Sequence, residues 1–398
     1  MDAGFEADHF PHITLPGLFL KFLRFGCLAY GGPVAQIAML RQSLVEDERW
    51  LDRARFNRLL AVLQVLPGPE AHELCVHLGI MARGRVGGVL AGLGFMLPGF
   101  ILMLVAGWIY VTQIAGHVGW AGPLLAIQIA VLAIILRAVV RIGQHILEDR
   151  LTWIVAVASG VATLAGAPFW LPLVAGGLVY GLSHRPVAAS VIAFFTLIAS
   201  AWLVHAPRVP TVVAIPDAAA SITVAALFLA GLKGGLLTFG GAYTAIPYVR
   251  ADTVGRGWLS DATFLDGIAV AGVLPAPLVI FATFVGYVAG GLNGALAITA
   301  GMFLPAFAFS LIFFERLEAV IEHPALHRAL SGVAAAVVGI IGATFVQLGM
   351  AASSRVSQPF LAIALFGVAL VAVWRFKGAW VIPTILAVSA LAGFYQAP

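Results

Sequence analysis

An all-α polytopic membrane protein built from two homologous units is the fold class this sequence predicts, and three observations predict it. Of its 398 residues, 61% are hydrophobic and 10% are charged, whereas a soluble domain carries roughly a quarter charged residues. Apolar runs long enough to cross a bilayer, about 20 residues each, recur along nearly the whole chain. Several short motifs of the first half also return, in order, in the second, the signature of a duplicated unit.

The apolar segments run 16–40, 56–82, 87–113, 119–147, 151–166, 168–183 and 187–206. A mixed link, HAPRVPTVVAIPDAAAS, occupies 205–221, followed by 222–249, 262–290, 293–315, 329–351, 358–374 and 378–396. The count is about 10 to 13 membrane segments, because the short pair 151–166 and 168–183 can also be read as re-entrant. The two longest loops, near 41–55 and 316–328, are charged and too short for a soluble domain. The 44 glycines and 21 prolines suit membrane helices, which tolerate both and pack closely through small residues.

The net charge of +4 does not call for a nucleic-acid partner, since arginine-weighted loops on one membrane face explain it. Cys27 and Cys75 lie inside apolar segments and read as packing residues, with a redox pair the alternative. The N-terminal MDAGFEADHFPHITLPG has no basic region followed by an apolar core and cleavage site, so no cleavable signal peptide is expected.

The repeat is specific. KFLRFGCLAYGGP at 21–33 returns as GLKGGLLTFGGA at 231–242, aligning Arg24 with Lys233. RWLDRARF at 49–56 returns as GWLSDATF at 257–264, VLPGP at 65–69 as VLPAP at 273–277, and GFMLPGF at 94–100 as GMFLPAF at 301–307. The shift stays between 207 and 209 residues. This divides the chain into a first transporter repeat at 16–183, a connecting segment with one span at 184–221, and a second repeat at 222–398. An odd number of spans from the start of one unit to the start of the next makes them inverted repeats, a common plan for secondary transporters. The basic residues at Arg83, Arg85, Arg137, Arg141, Arg150, Arg185, Arg250, Arg256, Arg316, Arg328, Arg375 and Lys377 favour an N-terminus inside. Arg41, Arg49, Arg53, Arg55 and Arg58 on the opposite side run against that orientation.

Within this frame the prolines and glycines predict broken helices near the membrane midplane. Proline removes a backbone donor and disrupts the preceding turn, and glycine admits unusual backbone angles. Pro67, Gly68 and Pro69 should interrupt the segment 56–82, and Pro275 and Pro277 the equivalent one in the second unit. Gly31, Gly32 and Pro33, with Gly240 and Gly241, are the companion breaks. Amides freed at such breaks attract anions; simple kinks are the alternative.

LPGPEAHELCVHLG at 66–79 admits three chemistries. His72 and His77 are five apart, about 140° around a helix, whereas a zinc HExxH site needs four; no metal site is expected. Glu70, Glu73 and His77 fall on one helical stripe. Ionisable groups inside a membrane span are expensive and line a pathway or pair up, so these three are candidates for proton coupling. Capping of a half-helix that begins after Pro69 is the parallel reading of the two glutamates. Arg24 and Lys233 are candidates to neutralise a bound dianion, or else they reach toward lipid headgroups. Arg137 and Arg141, one turn apart, read as interfacial.

Taken together, YGGP, the W-L dipeptide, LPGP and G…F.LPG, repeated in a second half, resemble the chromate ion transporter family, particularly its long two-domain members. The resemblance covers 16–113 and 225–315 most strongly. It implies a bacterial inner-membrane transporter that exports chromate by proton-coupled antiport, with two halves of opposite topology. Its motif positions fall on Gly31, Gly32, Pro33, Pro67, Gly68 and Pro69, and on Gly240, Gly241, Pro275 and Pro277. Two departures stand out: Ala276 where a glycine often sits, and Ala242 where Pro33 stands in the first unit.

The expected function is therefore a secondary active transporter exporting chromate across the inner membrane and conferring chromate resistance. The absence of a GxxxxGK[ST] loop places the energy source in an ion gradient. Sulfate or another tetrahedral oxyanion is the alternative cargo, because no residue separates it from chromate. An intramembrane enzyme using Glu70, Glu73, His72 and His77 is the reading from another class, and it lacks a nucleophile elbow. The expected partners are chromate or a related oxyanion, protons and membrane lipid, with no nucleic acid and no cofactor; a homodimer is compatible with this plan.

Overall fold

The computed structural model describes residues 13–63, 66–185, 187, 189–196, 222–239, 241–313, 324–376, 378 and 380–394. Among the described residues the regular structure is entirely helical. The first unit comprises α1 (Leu15–Leu28), α2 (Gly32–Arg41), α3 (Arg53–Leu63), α4 (Glu70–Ile109), α5 (Ala121–Ile146), α6 (Arg150–Leu164) and α7 (Trp170–Gly181). The second comprises α8 (Val224–Leu236), α9 (Ile246–Thr253), α10 (Asp261–Val273), α11 (Phe281–Phe313), α12 (Pro324–Ser353), α13 (Pro359–Arg375) and α14 (Val381–Phe394).

The same local chemistry starts equivalent helices in both units. Thr14 caps α1 by accepting from the Gly17 amide, and Thr223 caps α8 by accepting from the Ala226 amide, at 3.2 and 3.1 Å. Asp52 accepts from the Arg55 amide at the start of α3 (2.7 Å), and Ser260 from Thr263 at the start of α10 (3.2 Å). Each cap satisfies an amide that the first helical turn leaves free.

Four described helical stretches are long and apolar enough to cross a membrane: Glu70–Ile114, Ala121–Ile146, Leu278–Ile312 and Arg328–Ser353. Two of them fold back on themselves. In α4, Arg83 (φ −145°, ψ 30°) and Gly84 (φ 65°, ψ −167°) leave helical geometry; in α11, Gly290 (φ −141°, ψ 23°) and Gly291 (φ 61°, ψ −153°) do the same. The left-handed φ at Gly84 and Gly291 is what a residue without Cβ supplies cheaply. Across the first turn, added methyl groups on Gly79 and Gly88 would strike Gly87 and Val76 backbone atoms respectively. The two limbs of α4 therefore run side by side, and the limbs of α11 repeat this through Gly286 and Gly294. The turns fall between the apolar segments 56–82 and 87–113, and between 262–290 and 293–315.

The units exchange partners. α5 packs on α13 and α14 of the second unit, and α12 packs on α6 and α7 of the first, while α4 and α11 pack on each other. Small residues allow the close approach: a methyl group at Gly160 would lie 3.1 Å from the Gly339 carbonyl oxygen. The buried core holds Phe22, Trp50, Phe56 and Phe95 in one cluster and Phe264, Phe281, Phe284 and Phe303 in another. The outer faces stay apolar, with Ile154, Val161, Phe360 and Ile363 exposed, as a lipid-facing surface requires.

The charged loop after α2 is laced by ion pairs. Glu46 meets Arg53 and, at 3.5 Å, Arg41, and Glu48 meets Lys21. The neighbouring Arg53 guanidinium holds the Glu46 carboxyl below its usual range. Of the acidic residues interspersed with the arginines there, Glu46 is the one that pairs with them, while Asp47 accepts from Gln42 and Asp52 from the Arg55 backbone amide. Residues 316–323 of the other long loop, and 197–221 of the connecting segment, lie outside the described residues. Cys75 is buried and Cys27 exposed, both as free thiols.

Candidate functional site

All four expected helix breaks occur among or beside the described residues. α1 ends at Leu28 and α2 begins at Gly32; α3 ends at Leu63 and α4 begins at Glu70. In the second unit α8 ends at Leu236 before a short 3-10 turn at Ala242–Ala245, and α10 ends at Val273 before another at Leu278–Ile280. Gly31, Gly32, Gly68 and Gly241 all have positive φ, and Pro33 stands in the first turn of α2. Gly240 lies outside the described residues.

The breaks meet crosswise between the units. The Gly68 amide donates to the Thr238 carbonyl oxygen at 2.8 Å, joining the Pro67–Pro69 break to the end of α8. In the mirror contact, Gln36 Nε2 donates to the carbonyl oxygens of Ala29 (2.9 Å) and Ala276 (3.0 Å). Thr238 is the repeat equivalent of Ala29, and Ala276 of Gly68, so one contact is made twice by different means. The repeat equivalent of Gln36 is Ala245, and the Gly68–Thr238 crossing relies on the backbone instead.

A second layer of the crossing is complementary in size. A methyl group on Gly68 would sit 3.2 Å from Ala306 Cβ and collide with the Glu73 carboxyl, and one on Gly99 would collide with Ala276 Cβ. Gly99 and Ala306 are repeat equivalents. Each crossing thus combines one glycine with one alanine, in opposite order. Ala276, a departure in the sequence pattern, is matched by Gly99 opposite it.

Glu70, Glu73 and His77 lie on the first limb of α4, and all three are buried. Helix formation starts directly behind Pro69, whose carbonyl oxygen accepts from the His72 and Glu73 amides at 2.8 and 3.0 Å. Glu73 is fully buried beneath Gly68, and among the described residues neither of its carboxyl oxygens has a hydrogen-bond partner. Glu70 lies within electrostatic reach of Glu73, and Arg55 within reach of His77. His72 points away from this row, its ring edge-on between Phe303 and Phe307 of α11 at centroid distances of 4.9 and 4.7 Å. The repeat equivalents of Glu70, His72, Glu73 and His77 are Leu278, Ile280, Phe281 and Val285, so this chemistry belongs to the first unit alone.

The two aligned basic residues part company. Lys233 pairs with Asp252 at 2.7 Å and lies over the Phe169 ring, 3.8 Å from its centroid. Asp252 also meets Arg256 at 3.3 Å. Arg24 is exposed and forms no ion pair among the described residues. Pro67 is half-buried, and Pro275 and Pro277 are buried at the crossing. Sequence reasoning missed Gln36 and Asp252. A polar residue just inside α2 and an acid one turn from a basic loop gave no pattern of their own; only the contacts across units and helices reveal them.

A family model for chromate transporters matches residues 17–182 and again 225–394. The chain belongs to the chromate transporter family. The two matches of this family model cover the two units whose breaks interlock. Among relatives of the chromate transporter family, a chromate transport protein of Pseudomonas aeruginosa is 53% identical over 392 residues, covering 98% of this chain and 94% of the relative. One of Cupriavidus metallidurans is 32% identical with the same coverage of both chains. An uncharacterized transporter of Methanocaldococcus jannaschii is 25% identical, covering 84% of each chain. No solved structure matches. With its repeated apolar helices, this member of the family is a multi-pass membrane protein.

Proposed function

We propose that the chain is a secondary active transporter that exports chromate across the bacterial inner membrane in exchange for protons, and so confers chromate resistance. The observation that carries this reading is the crossed pair of helix breaks with the unpaired Glu73 carboxyl directly beneath one of them. Its family and the chromate transport proteins of similar sequence support the cargo. The reciprocal exchange of helices between units supports inverted repeats rocking about a shared site, as in other secondary transporters.

In this mechanism the oxyanion binds between the breaks at Gly31–Pro33, Pro67–Pro69, Gly240–Gly241 and Pro275–Pro277, where helix ends leave amides free. Lys233, on releasing Asp252, and Arg24 supply positive charge. A buried carboxylate without a partner costs on the order of several kcal/mol. Glu73, next to Glu70, is therefore the group that exchanges the proton in this mechanism. Antiport requires the proton and the anion to travel in opposite legs of the cycle. His77, near Arg55, completes the row toward the other end of the limb.

The test is chromate accumulation in bacterial cells lacking their own exporter. Cells making the protein should hold less labelled chromate than control cells and grow at higher chromate, with excess sulfate leaving the difference intact. Equal accumulation, with the protein present in the membrane, removes the reading; a difference abolished by sulfate moves the cargo to sulfate.

A further inference from the structure

We infer that Asp266 is a second proton-binding site, separate from the Glu70–Glu73–His77 row, and that the Gln128 amide turns with its protonation state. Asp266 lies in α10, two helical turns before the Pro275 break. Its carboxyl is held by groups from the other unit. Tyr110 Oη donates to Oδ2 at 2.8 Å, and Gln128 Nε2 donates to Oδ1 at 2.7 Å. Tyr110 comes from the turn that ends α4, and Gln128 from the middle of α5. Asp266, Tyr110 and Gln128 are 3%, 8% and 1% exposed, so these bonds are shielded from bulk solvent.

Both donors are neutral, and no ion pair reaches Asp266 among the described residues. Around α10, the turn after α4 and the residues just beyond α12 bring titratable or charged groups, Tyr110 and Arg355, near Asp266, with Arg355 acting through space. The segment Leu278–Ile280, α11 and α14 contain no charged side chain. On α10 itself, Asp261 is engaged by Arg250 at 2.7 Å. Hydrogen bonds from neutral donors satisfy lone pairs without cancelling the charge, and ionisable groups at such places in a membrane span carry pathways and relays.

Gln128 supplies the second observation. Its Nε2 also reaches the Ala262 carbonyl oxygen at 3.3 Å, while its Oε1 is buried with no hydrogen-bond partner. An orphaned amide oxygen is costly in this setting. A proton on Asp266 Oδ1 would turn that oxygen from acceptor to donor, facing an amide NH2 that also donates. A half-turn of the Gln128 amide brings Oε1 to accept the new O–H. The protonated state thus uses the acceptor that the ionised state leaves idle. The same turn takes Nε2 from the Ala262 carbonyl oxygen, and the event couples α10 of one unit to α5 of the other.

The repeat equivalent of Asp266 is Arg58, which is exposed. Among the described residues, the helix before the second unit's proline break and the helix after the first unit's thus each carry a buried acid, Asp266 and Glu73, at unrelated positions. A proton taken up at Asp266 is independent of the cargo, but its place in transport rests on the proposed function above.

The experiment is infrared difference spectroscopy of the purified full-length protein in liposomes between acid and alkaline pH, in H2O and D2O. A protonated-carboxyl band sensitive to D2O is expected in the wild type and in Glu70→Gln/Glu73→Gln, and is lost in Asp266→Asn. Tyr110→Phe and Gln128→Leu, each removing one hydrogen bond to the Asp266 carboxyl, should shift that band in frequency. If Asp266→Asn does not fold, these two shifts decide the matter. Spectra identical in the wild type and a folded Asp266→Asn, or no shift in either partner variant, overturn the site. Loss of chromate flux with the titrating band intact would overturn the cargo and leave the site standing.

Discussion

The Gly68 amide and the Thr238 carbonyl oxygen lie 2.8 Å apart, and this bond joins the proline break of one unit to the helix end of the other. Its counterpart runs from Gln36 to Ala29 and Ala276. A substrate seated between the breaks would therefore touch both units at once. Relative movement of the units would alter both crossings together.

The size match at the crossing predicts compensation. Gly99→Ala drives a methyl group into Ala276 Cβ, an overpacking that costs about 1–3 kcal/mol. Ala276→Gly alone should be tolerated. The double variant Gly99→Ala/Ala276→Gly should recover most of the thermal stability and flux lost by Gly99→Ala. Additive losses in a double-mutant cycle would contradict the direct contact.

Glu73→Gln keeps the shape of the buried side chain and removes its proton exchange. Chromate flux in this variant should respond to pH far less than in the wild type, with a smaller change in maximal rate. Glu70→Gln should shift the profile in the same direction. A pH profile superimposable on the wild type in both variants would take proton coupling away from this row.

The Lys233–Asp252 pair predicts opposite effects from its two members. Lys233→Ala should weaken chromate half-saturation on the order of tenfold, or 1.4 kcal/mol, and Arg24→Ala should add to that loss. Asp252→Asn, which frees the lysine, should tighten it. Unchanged half-saturation in all three, at normal protein levels, would make the pair a structural strut and return Arg24 to the headgroup region.

How far the sequence carries can be seen at individual positions. Pro67, Pro69, Pro275 and Pro277 announced their breaks because proline cannot donate in a helix, and the apolar lengths placed the helices to within a few residues. The crossing of the breaks was not legible, because Gly68 and Thr238 are far apart in sequence and their bond uses only backbone atoms. Asp266 carried a usable signal: it is the lone acid in the apolar part of its segment, as Gln128 is the lone polar residue in the first half of its own. Such isolated polar residues in a membrane span are expensive, which marks a site but not the partner. The folding back of α4 at Gly84 likewise needed the contacts of Gly79 with Gly87 to distinguish a hairpin from a kink.

At the edge of the helical region, Asp149 caps α6. It accepts from the Thr152 amide at 2.7 Å and from Tyr180 Oη at 2.8 Å. These donors, the Thr152 amide first, lower its carboxyl below the usual range. A depressed folded-state value means that the stabilisation is complete above the ordinary carboxylate range and is lost as pH falls through the depressed value. Asp149→Ala should cost about 0.5–2 kcal/mol, the usual worth of a helix cap, at neutral pH. The difference in thermal stability from the wild type should shrink in acid; a difference independent of pH would contradict the role of the ionised cap.

The most direct measurement is labelled chromate uptake into everted membrane vesicles with and without an imposed pH gradient, acid inside. Proton-coupled export predicts accumulation above the equilibrium level only with the gradient, collapse on addition of a protonophore, and resistance to excess sulfate. Chromate movement that is absent, or equal with and without the gradient in vesicles containing the protein, would contradict it.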